Sequence, residues 1–329
     1  FPMTLTPGAP VFRRPQTPVG PFPYTTEEVS FSNGDAVLKG TLTMPADCDR
    51  KTPVLVMVTG SGLQNRDEEL FGHKPFAVIA DAFARAGIAT LRYDDRGFGE
   101  STGDVVLCTT EDLKNDALAG VKLLRDRFER VGVIGHSEGG TIALMLAGER
   151  QVDFAVSLAG MIVSGAETLL AQNRRAFESA GLPESEVEAF ARLLSDTFTA
   201  IRTRAPLPSA DNYDITDALR KNYAAALPSF RTPYMEFFLG LDLSASLSGI
   251  TCPVMALNGT KDTQVQCDRN IAVLKAGLPS NSRSVIRAED GLNHLFQHCV
   301  TGEVSEYKNI EETFSPEVIS RMIFWLKAL

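Results

Sequence analysis

The sequence lacks the patterns that mark several classes of protein. No apolar run in its 329 residues reaches the roughly 18 that a membrane-spanning helix needs, so we expect no transmembrane segment. The net charge is −9 and no basic patch offsets it, which argues against a nucleic-acid partner. The five cysteines are scattered without a C-x-x-C pair. We therefore expect no metal site, and the odd number leaves at least one thiol unpaired.

The composition is that of a soluble globular protein with an ample core, since 44% of the residues are apolar and 22% are charged. The first 23 residues differ, because they hold seven prolines and show little periodicity. Such a stretch predicts an extended linker, and we assign residues 1–26 to an N-terminal extension. Because the sequence does not begin with methionine, we expect a further segment, such as another domain, to precede it.

Strands and helices alternate along most of the chain, which predicts an α/β fold with a mostly parallel sheet. An antiparallel hairpin with an Asn33-Gly34 turn comes first. The alternation stops at residues 161–243, where the apolar residues follow helical periods only. We predict a helical cap over those residues, inserted into a core formed by residues 27–160 and 244–329.

The stretch at residues 131–147 carries the clearest functional signal. A short apolar run enters Gly135-His136-Ser137-Glu138-Gly139, and a buried helix follows. Strand, G-x-S-x-G and helix in this order are typical of a nucleophile elbow, in which a sharp turn lifts the serine above the sheet. Side chains at either glycine would collide with the neighbouring strand and helix. The pattern predicts that Ser137 is a catalytic nucleophile.

A serine nucleophile needs a histidine base, and this fold places the base after the serine in the chain. The sequence holds only four histidines. His73 precedes the serine, and His136 lies inside the elbow. His294 occupies a loop beyond the last strand, whereas His298 is better explained as a surface residue. We predict His294 as the base.

The base needs a carboxylate to orient it, and that residue should follow the strand after the cap. Asp262 lies directly past this strand. Asp268 is further along and enters a helix, while Asp242 precedes the strand. We predict Asp262 as the acid of a Ser137-Asp262-His294 triad.

An acyl-transfer site also needs two backbone donors for the oxyanion. One is the amide of Glu138, directly after the nucleophile. The second should come from the glycine-rich loop after the strand at residues 53–58, where Ser61 is the best candidate and Gly62 the alternative.

The densest aromatic stretch of the chain lies in the predicted cap, at residues 230–238. Tyr234 and Phe238 are four residues apart and share one face of a helix. They are candidate substrate-binding residues, and the alternative is that this face packs the cap onto the sheet.

Four segments together resemble the α/β-hydrolase superfamily, and specifically bacterial esterases of the serine aminopeptidase and monoacylglycerol-lipase-like branch. The segments are residues 60–68 (GSGLQNRDE), 92–97 (RYDDRG), 135–140 (GHSEGG) and 292–297 (LNHLFQ). The resemblance implies an eight-stranded sheet, no cofactor and an extracytoplasmic location, with a cytoplasmic one as the alternative. Asp94, Asp95 and Arg96 are expected to brace loops rather than to contact substrate.

These residues predict a serine hydrolase that cleaves small-molecule carboxylic esters through an acyl-enzyme. The same groups serve any acyl carbon, so peptide or thioester cleavage is an alternative. A non-catalytic ligand-binding protein on the same scaffold is a further alternative, which the complete set of three groups argues against. The sequence does not indicate the oligomeric state.

Overall fold

Eight strands form one sheet in the computed structural model, which describes residues 13–329. In chain order they are β1 (Tyr24–Asn33), β2 (Ala36–Pro45), β3 (Val54–Val58), β4 (Ala89–Tyr93), β5 (Val131–His136), β6 (Ala155–Leu158), β7 (Val254–Gly259) and β8 (Val285–Glu289). Their order across the sheet is β1-β2-β4-β3-β5-β6-β7-β8, and only the β1–β2 and β2–β4 pairs are antiparallel. The predicted mostly parallel sheet of eight strands is confirmed.

The strand order reverses at the middle of the sheet, between β3 and β5. From β3 the chain crosses to β4 on one side, whereas β5 leads through β6 and β7 to β8 on the other. Loops that leave such adjacent parallel strands in opposite directions open a crevice at their carboxyl ends, where α/β proteins bind ligands. The loop after β3 and the elbow after β5 both begin at this crevice.

Helices cover both faces of the sheet. The helices are α1 (Pro75–Arg85), α2 (Thr110–Arg125), α3 (Glu138–Gly148), α4 (Gly165–Ser179), α5 (Glu184–Thr203), α6 (Asp217–Phe230), α7 (Pro233–Gly240), α8 (Cys267–Gly277), α9 (Val304–Tyr307) and α10 (Pro316–Ala328). One apolar core joins the sheet to α2, α3 and α8, and a second joins it to α1 and α10. Strands covered on both sides become continuous apolar runs, and all five residues of β3 are buried.

The first hairpin differs from the prediction in its turn. Asn33 pairs with Ala36, so the two turn residues are Gly34 and Asp35 rather than Asn33 and Gly34. Gly34 adopts a φ of +58°, which a residue without a side chain tolerates at the first turn position. Both Asn-Gly and Gly-Asp are turn dipeptides, so the sequence alone did not fix which pair occupies the turn.

The described chain between β6 and β7 contains helices and no strand, as its periodicity predicts. Helices α4 to α7 lie here and share their own apolar cluster, which includes Phe190, Phe198 and Tyr223. Inside this cluster the hydroxyls of Tyr223 and Thr197 lie 2.8 Å apart, so a buried polar pair is satisfied. The insertion therefore has a small core separate from the two cores on the sheet.

The described part of the N-terminal extension contacts the sheet-bearing core. The Gln16 side chain donates to the carbonyl of Phe314 at 2.7 Å and accepts the amides of Thr313 and Phe314. Arg14 donates to the carbonyls of Phe71 and Lys308. The extension predicted as a linker is thus hydrogen-bonded in place from residue 14 onward, while residues 1–12 lie outside the described residues. Within residues 13–329, no helix combines the length and apolarity that crossing a bilayer requires.

Candidate active site

Ser137 occupies a strained turn between β5 and α3, with φ +53° and ψ −120°. Two glycines make this turn possible. A Cβ on Gly135 would lie 2.0 Å from the carbonyl oxygen of Gly139, and a Cβ on Gly139 would lie 2.0 Å from that of Val58. Neither distance leaves room for a side chain, so the helix can start directly against the sheet only with glycine at both positions. Strain of this kind persists where the surrounding structure fixes it, and it is concentrated at functional sites.

Asp262 and His294 are hydrogen-bonded to each other, with 2.7 Å between His294 Nδ1 and Asp262 Oδ2. Both side chains are buried. The amides of Gln264 and Val265 donate to Asp262 Oδ1, and Asn258 donates to Oδ2, so the carboxylate is held as an acceptor. The proton of the imidazole therefore resides on Nδ1, which leaves Nε2 free to accept another.

Ser137 and His294 line the same pocket, which has a volume of about 290 Å³. Among the described residues, no hydrogen bond yet joins the Ser137 hydroxyl to His294. Catalytic hydrogen bonds are often long without substrate and tighten when substrate binds. Of the predicted triad, Asp262 and His294 are thus in direct contact, and Ser137 shares a pocket with His294.

The loop after β3 passes directly beside Ser137. A Cβ built on Gly60 would lie 3.2 Å from Ser137 Cβ, and the next residue, Ser61, also lines the pocket. The Gly60 amide is already occupied, because it donates to Glu68 Oε1 at 2.8 Å. Within residues 13–329, neither the Ser61 amide nor the Glu138 amide has an acceptor. These two predicted donors are therefore available to an oxyanion.

Ion pairs and hydrogen bonds from charged side chains hold the loop after β3 in place. The Arg66 side chain donates to both carboxylate oxygens of Asp94 and also pairs with Glu28. Asp95 accepts from the Thr59 hydroxyl at 2.8 Å. Burial raises the pKa of Asp95 to about 7, although the hydrogen bond from Thr59 acts in the opposite direction. Asp94 and Asp95 contact loop residues here, in agreement with the role expected for them.

The Glu138 side chain links the elbow to the cap. It is buried and accepts from Thr110 Oγ1 and from the Tyr234 hydroxyl, each at 2.6 Å. Burial and the neighbouring Glu138 carboxylate raise the pKa of Tyr234, so the phenol remains a donor. Tyr234 and Phe238 both line the pocket, and their stacked rings are 5.7 Å apart. The cap helix α7 thus supplies an aromatic wall close to the nucleophile.

The remaining histidines occupy different environments. His73 is fully buried and bonded to the Thr313 hydroxyl and the Tyr307 carbonyl, and burial lowers its pKa. His298 is exposed and pairs with Glu312. In the described range, one surface group could offer three metal-ligating side chains, namely His298, Glu312 and Glu317, and none of these residues lines the pocket.

A family model described as serine aminopeptidase, S33, matches residues 74–296, which is well over half of the chain. The chain belongs to the serine aminopeptidase S33 family. It is also similar to Esterase EstD of Thermotoga maritima, with 27% identity over 271 residues. That match covers 81% of this chain and 59% of the relative, so the chain spans under two thirds of the relative's length.

Several solved structures have a similar fold. An esterase of Pyrococcus furiosus, Pf2001, superposes with a TM-score of 0.56 at 18% identity over 97% of this chain and 98% of its own. Proline iminopeptidase of Mycobacterium smegmatis gives 0.56 at 16% identity over 92% and 98% of the two chains. Est1E of Butyrivibrio proteoclasticus, solved with ferulic acid, gives 0.54 at 19% identity over 92% and 100%. At these identities the likeness concerns the fold, and the predicted α/β-hydrolase fold is confirmed.

Two residues of this S33-family site were not assigned a role from the sequence. Glu68 bonds both Gly60 and His136, and His136 in turn bonds the backbone of His294. The sequence excludes His136 as the base because it lies inside the elbow, and Glu68 is only one residue of the segment 60–68 that resembles the family. The sequence places Glu68 and His136 68 residues apart and gives no sign that they meet.

The elbow geometry predicts that Gly139→Ala is severely destabilising. The new methyl group would meet the backbone of Val58, which cannot turn aside as a side chain can. Overpacking of this kind costs about 1–3 kcal/mol or more, and urea unfolding should show the loss. Gly148→Ala is the matched control in the same helix, since the nearest atom lies 3.8 Å away. Equal stability of the two variants would contradict the steric account of the elbow.

Proposed function

We propose that the chain is a carboxylic-ester hydrolase whose nucleophile is Ser137. The observation that carries the proposal is that His294, which is hydrogen-bonded to Asp262, lines the same pocket as the strained Ser137. The similarity to Esterase EstD supports the choice of ester substrates. No step of the reaction calls for a cofactor.

The reaction begins when His294 Nε2 takes the proton of the Ser137 hydroxyl as its oxygen attacks the ester carbonyl. The amides of Ser61 and Glu138 donate to the oxyanion of the tetrahedral intermediate. Asp262 keeps the imidazolium oriented throughout. The bond to the alcohol then breaks, and the alcohol departs with the proton from His294.

The same residues then hydrolyse the acyl-enzyme, with water in place of the serine hydroxyl as the attacking group. His294 removes a proton from water, whose oxygen attacks the acyl carbon, and the two amides again stabilise the oxyanion. The bond to Ser137 breaks, the serine regains its proton, and the carboxylic acid leaves. The aromatic wall from the cap excludes water and lowers the local dielectric, which strengthens the oxyanion contacts.

The pocket lining favours esters over the two alternative acyl substrates. Among residues 13–329, the one carboxylate in the lining belongs to Glu68, which already accepts from Gly60 and His136 and so is poorly placed to bind the free ammonium group of a peptide. No lysine or arginine lines the pocket in the described chain, so the phosphates of an acyl-CoA thioester would lack a partner. Small neutral esters suit this lining best.

A fluorophosphonate probe tests the proposal directly, because it phosphonylates only an activated serine. The wild-type protein should be labelled at Ser137. Mass spectrometry of the digested protein would identify the labelled residue. Ser137→Ala should fold normally, fail to label and lose turnover of p-nitrophenyl butyrate. A wild-type protein that folds but neither labels nor hydrolyses esters would be a binding protein, and the proposal would be wrong.

The role of the acid is tested by a pair of aspartates. Asp262→Asn should lower kcat by up to about 10⁴-fold, the loss known from the equivalent change in a serine protease, because the imidazole is then held in the wrong tautomer. Asp268→Asn is the control, since Asp268 is exposed at the start of α8. Steady-state kinetics on one ester suffice. Similar losses in the two variants would rule out a specific role for Asp262.

The cap wall is tested by the order in which acyl chain lengths are preferred. Tyr234→Ala should raise kcat/KM for octanoyl relative to acetyl esters, since it removes a partly exposed ring from the pocket. Tyr234→Phe keeps the ring and serves as the control, so its ranking should match the wild type. Phe238 is only 8% exposed, and Phe238→Ala should also cost about 3–5 kcal/mol of stability. An unchanged ranking in Tyr234→Ala would show that this face only packs the cap onto the sheet.

A further inference from the structure

The His136 ring is buried between two loops and has a hydrogen-bond partner at each nitrogen. Nδ1 lies 3.0 Å from Glu68 Oε1, and Nε2 lies 2.8 Å from the backbone carbonyl of His294. A carbonyl oxygen only accepts, so Nε2 must carry a proton. Glu68 Oε1 also acts as an acceptor, because it receives the Gly60 amide as well. When Glu68 is ionised, both ring nitrogens face acceptors, and the imidazolium form of His136 donates to both of them.

Glu68 is held in an unusual conformation to make these contacts. Its backbone φ is +54°, in the left-handed region that residues with side chains seldom adopt. The side chain is buried, and its Oε1 takes the amide of Gly60, the residue just before Ser61. A non-glycine residue persists there when its surroundings fix it, and such strain is concentrated at functional sites.

We propose that Glu68 and His136 are positioning residues of the hydrolase, which join the loop that carries Ser61 to the loop that carries His294 through one charged ring. The proposal rests on the function proposed above. Neither residue takes part in bond making. Glu68 orients the oxyanion loop through Gly60, and His136 holds the backbone of the base, while its own backbone leads into Ser137. The pair thereby fixes donor, nucleophile and base relative to one another.

The charge on His136 makes this link sensitive to pH. Burial alone would lower the pKa of the imidazole, but the Glu68 carboxylate and the His294 carbonyl more than offset it, and the pKa is raised. Two further titratable groups of the described chain act on the ring, namely His294, whose own ring lies 4.7 Å away, and Asp262 on the loop after β7. Above its raised pKa, His136 has one N–H instead of two and must release one of its two partners. The rate of the hydrolase should then fall on the alkaline side.

The first experiment removes the charge of Glu68 and keeps its shape. In Glu68→Gln the amide oxygen can still accept from Gly60 and His136, but it no longer stabilises an imidazolium. The pKa of His136 should fall, and the alkaline limb of kcat/KM should move to lower pH by about one unit or more. KM should change little, because the substrate contacts are retained. A profile that superposes on that of the wild type would overturn the proposal.

The second experiment separates the two links. In His136→Gln the amide nitrogen can reach the His294 carbonyl in place of Nε2, whereas in His136→Asn it can reach Glu68 in place of Nδ1. Each variant keeps one link, so kcat should fall in both, by up to about 10²-fold, with KM nearly unchanged. The alkaline limb due to His136 should disappear. Wild-type kcat and an unaltered limb in both variants would overturn the proposal.

Two controls keep the outcome clear. His298→Gln alters an exposed histidine that also pairs with a glutamate, and it should leave the pH profile unchanged. If the His136 variants fail to fold, as thermal unfolding would show, the profile of the more conservative Glu68→Gln decides. Fluorophosphonate labelling separates the two proposals. An unlabelled wild type refutes the esterase and this inference with it, whereas a labelled wild type with unaffected variants refutes this inference alone.

Discussion

The close approach of α3 to the sheet is the constraint on which the rest of the site depends. The chain turns from β5 into α3 within one residue, and the carbonyl oxygens of Val58 and Gly139 occupy the space that two side chains would need. Steric contact, rather than any attractive interaction, therefore sets the position of the nucleophile. Because the start of α3 is pressed against the end of β3, the loop after β3 is brought beside Ser137. The base and its acid arrive from the other half of the sheet, at the ends of β7 and β8.

Polar contacts then complete what the backbone begins. Asp262 is held by two amides and an asparagine, so it presents one oxygen to His294 in a fixed direction. Glu138 is fixed at both oxygens by hydroxyl groups. Each carboxylate in this region is buried and satisfied, as a low-dielectric interior demands. The contacts made by these side chains limit the movement of the pocket walls on the core side.

Local patterns in the sequence predicted much of this architecture. Alternating apolar runs predicted the sheet, helical periods predicted the character of the insertion, and the order of Ser137, Asp262 and His294 predicted which residues would approach one another. The predicted position of the turn in the first hairpin was wrong by one residue, because the overlapping dipeptides Asn33-Gly34 and Gly34-Asp35 both favour turns. The Glu68–His136 contact was not foreseeable, since it depends on a left-handed backbone at Glu68 and on how distant loops fold over each other. The hydrogen bonds of Gln16 to Thr313 and Phe314 were not predicted for a similar reason. The proline content of the first residues indicates an extended chain, but it does not indicate which distant residues that chain contacts.

The position of the site at the reversal of strand order has a consequence for how the protein acquires activity. Its groups come from the ends of β3, β5, β7 and β8, so 233 positions of the 329-residue chain separate Ser61 from His294. Contacts of such large sequence separation form late, because each requires the closure of a long loop and parallel strands pair slowly. Partly folded forms with intact local helices would thus have no pocket. Recovery of activity during refolding would report the completion of the sheet.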